Sequence, residues 1–274
     1  MLLGLSFWCG ALCFVNVLWW SEAMDCQGTA RYRLTFLAEW TSQNHRDFPS
    51  CCFPHFSDLI GCSHNASYVM WTPGILATPG VQNVAELGRT LALERELDVQ
   101  IQKKNVHRRY TGGGINRGTG SVSINNIEVT SNYSLVSFIS MIAPSPDWFV
   151  GVHDFDLCNE TSGRWLNSRA RDLPLYDSGT DSGARFTSGD NITSPPVKIH
   201  LLTNNTEGSL KGDTPVKRFG TFTFVKTFDS FPSIKQTPTS NIPTISTTNF
   251  AHSFQHLELI NVIVLSATFV VSFV

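Results

Sequence analysis

The sequence predicts an all-β fold, a β-sandwich carrying one amphipathic helix, on three observations. In the first folded stretch Ala30, Tyr32, Leu34, Phe36 and Ala38 alternate with Arg31, Arg33 and Thr35, the period of two that a strand with one buried face requires. Further short apolar runs follow, punctuated by Gly, Pro, Asn and Ser, as in a sandwich. Only one long segment, Val84 to Lys104, switches to a helical period.

The elements follow in order. Thr29 to Trp40 is the first strand. Residues Gln43 to Ser63 are irregular and hold three cysteines. Tyr68 to Trp71 reads as a short strand stopped by Pro73-Gly74. In the helix, Val84, Leu87, Leu91, Leu97 and Ile101 fall on one face, with Glu and Arg on the other. The run Gly112-Gly113-Gly114 does not fit a dinucleotide fingerprint, because Arg117 occupies the third glycine position, and it reads as a mobile loop. Ser121 to Val129 and Leu135 to Ala143 are strands, and the second is apolar on both faces, which places it centrally. Val197 to Leu202 and Phe219 to Val225 complete the set.

Both ends point to the secretory pathway. Residues Met1 to Trp20 are uncharged and almost wholly apolar, and Ser21-Glu22-Ala23 sets small residues for cleavage after Ala23, so 1–23 reads as a signal peptide, with an uncleaved anchor as the alternative. The stretch 229–256 is rich in Ser, Thr and Pro and reads as an O-glycosylated stalk. Leu257 to Val274 is a second apolar run without a following Lys or Arg. Small residues at Ser246-Thr247-Thr248, a spacer and this tail form a glycosylphosphatidylinositol (GPI) signal, with Ser246 as the candidate attachment residue. The alternative is a short membrane anchor. Five Asn-x-Ser/Thr sequons, at Asn65, Asn132, Asn159, Asn191 and Asn204, suit an extracellular domain.

In that oxidising compartment Cys26, Cys51, Cys52, Cys62 and Cys158 are available to pair. Five is odd, so one thiol stays free or pairs with another chain. The formal net charge of −2 gives no global field favouring nucleic acid.

The candidate site lies between Met141 and Gly183. Pro144-Ser145-Pro146-Asp147-Trp148-Phe149-Val150-Gly151 opens it, and Asp177-Ser178-Gly179-Thr180-Asp181-Ser182-Gly183 closes it. Asp177 and Asp181 flank a glycine-containing turn that can bring two carboxylates together. Unpartnered carboxylates at that distance repel, and a cation relieves them. All-oxygen ligation in a flexible loop suits Ca²⁺ better than zinc. The alternative is that these aspartates cap turns through Asx hydrogen bonds.

These two motifs resemble the spondin domain family, of the F-spondin and mindin type. Ala30-Arg31-Tyr32-Arg33-Leu34-Thr35-Phe36, Phe56-Ser57-Asp58-Leu59-Ile60-Gly61, Ser63-His64, Tyr68-Val69-Met70-Trp71 and Ala85-Glu86-Leu87-Gly88 carry the same resemblance. It covers roughly Cys26 to Thr203 and extends by pattern over a domain of 24–228. It implies a C2-like antiparallel sandwich, an extracellular adhesive role, and a calcium site whose aspartates match Asp147, Asp177 and Asp181. Asp154 and Asp156 are nearby alternatives. It also implies a Cys26–Cys158 disulfide. Cys51, Cys52 and Cys62 lie outside the family pattern; the expectation here is that Cys62 bonds one of the adjacent pair.

Competing chemistry has little support. Asp177-Ser178-Gly179-Thr180 matches an aspartic-protease signature, but that chemistry needs two aspartates from separate lobes. The eight histidines form no dense ligand pattern, no G-x-S-x-G elbow is present, and His64 reads as a hydrogen-bonded core or turn residue. The run Lys103 to Arg109 offers Lys103, Lys104, Arg108 and Arg109 as candidate binders of sulfated glycans or acidic lipid heads; the alternatives are a solvated helix end and a convertase cleavage site. The sequence therefore predicts a non-enzymatic cell-surface module that binds matrix or cell-surface partners, with glycan or microbe recognition as the second reading.

Overall fold

A computed structural model describes residues 24–231. The segments expected to be a signal peptide and a GPI signal, and nearly all of the expected stalk, lie outside the described residues. In chain order the elements are β1 (Thr29–Glu39), β2 (His55–Phe56), β3 (Leu59–His64), α1 (Pro79–Leu87), α2 (Leu91–Gln102), β4 (Val106–Gly112), β5 (Thr119–Thr130), β6 (Leu135–Ala143), β7 (Trp148–Asp156), β8 (Cys158–Asn159), β9 (Arg164–Trp165), β10 (Ser168–Leu173), β11 (Tyr176–Asp177), β12 (His200–Leu201) and β13 (Gly220–Asp229). Two antiparallel sheets form the sandwich. One runs β10-β13-β1-β5; the other runs β12-β11-β7-β6-β3-β4, with β2 beside β6.

The core explains both strand patterns. In β1, Tyr32, Leu34 and Phe36 face the opposing sheet and are buried, while Arg31, Arg33 and Leu37 face outward and are exposed. Phe222 and Phe224 of β13 and Phe138 and Ile142 of β6 fill the same space. β6 is apolar on both faces because both are covered. Val136, Phe138 and Ile142 enter the inter-sheet core, whereas Ile139 joins a second cluster with Val81, Val84, Leu93 and Leu97 of the helices.

The single predicted helix is two. α1 starts earlier than expected, with Thr78 as N-cap and Pro79 in the first turn, a favoured arrangement. It stops at Gly88, which takes φ 64° while the Gly88 and Arg89 amides donate to the Val84 and Asn83 carbonyls, as in a Schellman-type C-cap. Leu87 and Leu91, expected on the buried face, flank this break and are 52% and 58% exposed.

Three further expectations are corrected. Tyr68 to Trp71 forms no strand; Trp71 instead plugs the second cluster edge-on against Phe149 and Tyr176, its indole N–H donating to the Phe138 carbonyl. The Val197 to Leu202 strand shrinks to His200–Leu201, held by Tyr176 and Asp177. The triglycine is a packed crossing and not a free loop. Gly112 ends β4, Ile115 exchanges both backbone hydrogen bonds with Phe56, and a Cβ on Gly114 would lie 2.6 Å from the Phe56 carbonyl oxygen.

The structure bonds Cys26 to Cys158, tying the segment before β1 to β8 across 132 residues. It also bonds Cys51 to Cys52 and leaves Cys62 free and buried. This overturns the expected Cys62 pairing. Cys62 lies on β3 between β4 and β6, inside the cluster beneath the helices, and Cys51 and Cys52 lie on an exposed loop. Burial pushes the Cys62 thiol far up, so it stays protonated and inert.

Candidate functional site

Ladder geometry brings the three predicted aspartates to one end of the larger sheet. Asp147 immediately precedes β7, Asp177 ends β11 and pairs with Trp148, and Asp181 bridges Ile192. Ser145 braces the turn into β7: its hydroxyl donates to the Ile142 carbonyl and accepts from the Trp148 amide. Gly179, with φ 78°, permits the tight return between the two loop aspartates, and a Cβ there would lie 2.2 Å from the Val197 carbonyl oxygen.

Asp147 is wholly buried. Its Oδ2 accepts from the Thr180 amide (2.7 Å), the Ser178 hydroxyl (2.9 Å), the Asp181 amide (3.0 Å) and the Thr180 hydroxyl (3.2 Å). Its Oδ1 has no partner. Four donors on one oxygen favour the ionised form, but burial dominates and pushes the carboxyl up. Asp177 Oδ2 accepts from the Trp148 indole N–H (3.0 Å) and Oδ1 from the Gly179 amide (2.7 Å), with His200 Nδ1 3.8 Å away. Burial first, and then the Asp147 charge, pushes Asp177 up to about 6. Asp181 accepts from the Gly183 and Asn191 amides, both at 2.7 Å.

The Asx reading is therefore correct in part: Asp177 and Asp181 each close a local turn on the glycine two residues on. It does not cover Asp147, whose second oxygen is buried and unanswered. Beside the aspartates opens a cleft of about 280 Å³ lined by Asp177, Asp181, His200 and Glu207. Among the described residues no group of three or more His, Cys, Asp or Glu side chains forms a ready metal cage. Asp154 and Asp156 lie at the far end of β7; Asp154 pairs with His153, and an Asp156 oxygen accepts from the Cys158 amide.

The basic run is dispersed. Lys103 and Lys104 cap the end of α2, whereas Arg108 and Arg109 belong to β4. Arg108 turns to Glu128 (3.6 Å), and Arg109 to Asp98 and Glu94 (2.7 and 3.1 Å). Two of the four candidate glycan binders are thus engaged by carboxylates. His64 is the expected core histidine, buried between the Ser137 hydroxyl (2.8 Å) and the Asn65 carbonyl (3.0 Å). All five sequon asparagines reach the surface: Asn132, Asn159 and Asn191 are exposed, and Asn65 and Asn204 are half-buried.

The Spondin_N family matches residues 30–211, most of the described sandwich. The chain belongs to the Spondin_N family. It is similar to Spondin-2 of Homo sapiens, 36% identical over 184 residues that make up 66% of this chain and 55% of that protein. It is similar to Spondin-2 of Rattus norvegicus, 37% identical over 177 residues (64% and 53%). It is also similar to Spondin-1 of Gallus gallus, 36% identical over 191 residues (66% and 23%). The matched part thus spans between about a quarter and a half of these Spondin_N relatives. Within that span lie the three aspartates, the Ser178 and Thr180 hydroxyls that cradle Asp147, and the Trp148 indole. The sequence motif contained the last three without assigning them roles. His200 and Glu207 carried no signal at all.

Proposed function

We propose that this chain is an extracellular, surface-tethered adhesion module that binds matrix or cell-surface partners and carries a structural Ca²⁺. The observation behind the adhesion reading is the Spondin_N match on a disulfide-closed sandwich whose sequons all reach the surface. Support for the tether comes from the sequence, through Ser246 and the apolar tail; among the described residues no helix is long and apolar enough to cross a membrane. Cells expressing the full chain should adhere to matrix-coated surfaces, and phosphatidylinositol-specific phospholipase should release both the protein and the adhesion. Adhesion identical to that of cells lacking the chain would refute the module; release of neither would refute the lipid tether.

For calcium, the supporting observation is the buried, unpartnered Oδ1 of Asp147, a carboxylate whose other oxygen is bonded to the loop that carries Asp181 and follows Asp177. Asp147, Asp177 and Asp181 would hold the ion, whose charge would offset the burial and, after it, the Asp147 repulsion that raise Asp177. A ligand bound only by the folded state stabilises by about 2.7 kcal/mol at a hundredfold excess over Kd, so melting in calcium should exceed melting in chelator. The difference should depend on pH. Asp177, raised from 3.8 to about 6, contributes stability in the metal-free fold that is full below 3.8 and lost as pH rises through 6. Calcium requires the ionised form, so its benefit should be largest above pH 7 and shrink toward pH 5. Burial holds His45 and His64 below their ordinary value, which adds acid sensitivity in both conditions and cancels in the difference. No calcium-dependent rise at pH 7.5 in the folded protein would refute the site.

The second reading, recognition of glycans or lipid heads through Lys103, Lys104, Arg108 and Arg109, draws less support, because Arg108 and Arg109 are already paired with carboxylates. Catalysis has no part in this proposal: the Asp177-Ser178-Gly179-Thr180 signature serves one turn, where Gly179 and Thr180 donate to Asp177 and Asp147.

A further inference from the structure

A second cleft, of about 600 Å³, opens at the end of β10 and shares Leu202 with the cleft beside the aspartates. Pro174, Leu201, Pro215 and Val216 give it aliphatic walls, and Leu201 is 44% exposed. Its charged lining is Arg171, Lys217 and Arg218 against Asp172. Arg218 is held by Glu39 (2.5 Å) and Asp172 (3.2 Å), whereas Arg171 and Lys217 form no ion pair among the described residues. Arg171 and Asp172 belong to β10, which pairs with β13 on one side and with no strand on the other among the described residues. An edge strand offers a row of main-chain donors and acceptors to an added strand. Charges along such an edge deter a like-charged edge and favour an opposite one.

We propose that the β10 edge and this cleft bind an extended acidic peptide segment of a partner protein. The segment adds as a strand beside β10. Its apolar side chains enter the aliphatic cleft, and its carboxylates meet Arg171 and Lys217. The proposal rests on the binding-module reading for its kind of partner, and names the chemistry of that partner. A peptide fits better than a sugar, because the walls supply no aromatic ring for a sugar to stack on, and the edge supplies main-chain bonding. The chain's own stalk does not fit, because beyond Asp229, which ends β13, residues 230–256 contain no Asp or Glu. Asn204 lines the same cleft and heads the sequon Asn204-Asn205-Thr206, so a glycan there stands at the mouth and limits entry.

The test titrates the full chain, and its Asn204→Gln variant, with a labelled peptide of about eight residues alternating Glu and Val; main-chain addition and side-chain alternation set that length and pattern. Saturable binding that weakens with salt is expected, at least as tight in Asn204→Gln as in the parent. Combined Arg171→Glu and Lys217→Glu should weaken it by about tenfold or more and confer binding of the matching Lys-Val peptide. Both side chains are exposed, and an unchanged melting temperature checks that the fold survives. The proposal is overturned if neither chain binds the peptide, if charge reversal leaves binding unaltered, or if these residues bind a heparin oligosaccharide and not the peptide. Calcium-dependent stabilisation and cell adhesion retained by a chain that binds no peptide would sink this proposal alone and leave the module reading intact.

Discussion

Replacing Cys26 and Cys158 together by serine should lower the melting temperature of the domain by roughly 10–15 °C. The bond closes a loop between residues 132 apart, and in the chain-entropy account a loop of that size restricts the unfolded chain by about 4–5 kcal/mol. For a domain of this length each kcal/mol corresponds to about 2–4 °C. The native side adds a second loss. Cys26 and Cys158 are both buried and pack in the inter-sheet core, and the Trp165 indole beside them donates to the Gln27 carbonyl. Once the link is cut, the segment before β1 keeps few ties, chiefly that hydrogen bond and the one from the Met24 amide to the Glu160 carbonyl. The double variant, compared with the parent by calorimetry, isolates this effect. A drop under about 3 °C would mean that the unfolded chain is already compact enough for the link to matter little. Replacing Cys51 and Cys52 is the internal control: their bond spans one residue step, closes no loop of consequence, and should move the transition far less.

How much of this was legible follows from where each signal resides. β1 could be read residue by residue, because one buried face imposes an alternation that survives in sequence. β6 could be placed centrally because a strand covered by a sheet and by helices loses that alternation. The helix was misread because Leu87 and Leu91 continue the apolar period across a glycine, and only the backbone conformation at Gly88 breaks it. Asp177 and Asp181 could be read as neighbours from one glycine turn, whereas Asp147 joined them only through the family resemblance, and the β7–β11 pairing that brings it there is tertiary. His200 and Glu207 join them only through the fold, from a segment with no periodic pattern. The cysteines had the same limit: composition gives their number, but Cys62 is withdrawn from pairing by the β3 register and not by spacing. Arg171 and Lys217 are invisible as a pair in sequence, because the strand edge and the β12–β13 connection that juxtapose them are tertiary.

Asp147 is the residue at which the fold and the proposed calcium site should separate most cleanly under mutation. Asp147→Ala leaves the Thr180 and Asp181 amides and the Ser178 hydroxyl without their acceptor in a site closed to solvent. Stranding buried donors of this kind, once served by a charge, costs about 3–5 kcal/mol, in calcium and in chelator alike. Asp147→Asn is gentler, because its carbonyl oxygen can still accept from those donors while the charge disappears. Without that charge Asp177 loses its second-largest cause of elevation, so the metal-free variant should ionise Asp177 at lower pH than the parent. The Asn variant should therefore melt above the Ala variant in chelator, yet gain nothing from calcium. The comparison needs four melting curves, each variant with and without the ion, and a pH series on the Asn protein. An Asn variant that keeps the full calcium-dependent rise would show that the ion is held elsewhere, and Asp147 would then be only the acceptor around which the Ser178–Asp181 turn folds. An Ala variant as stable as the parent would remove even that role, since the hydrogen bonds to one buried oxygen would then contribute nothing.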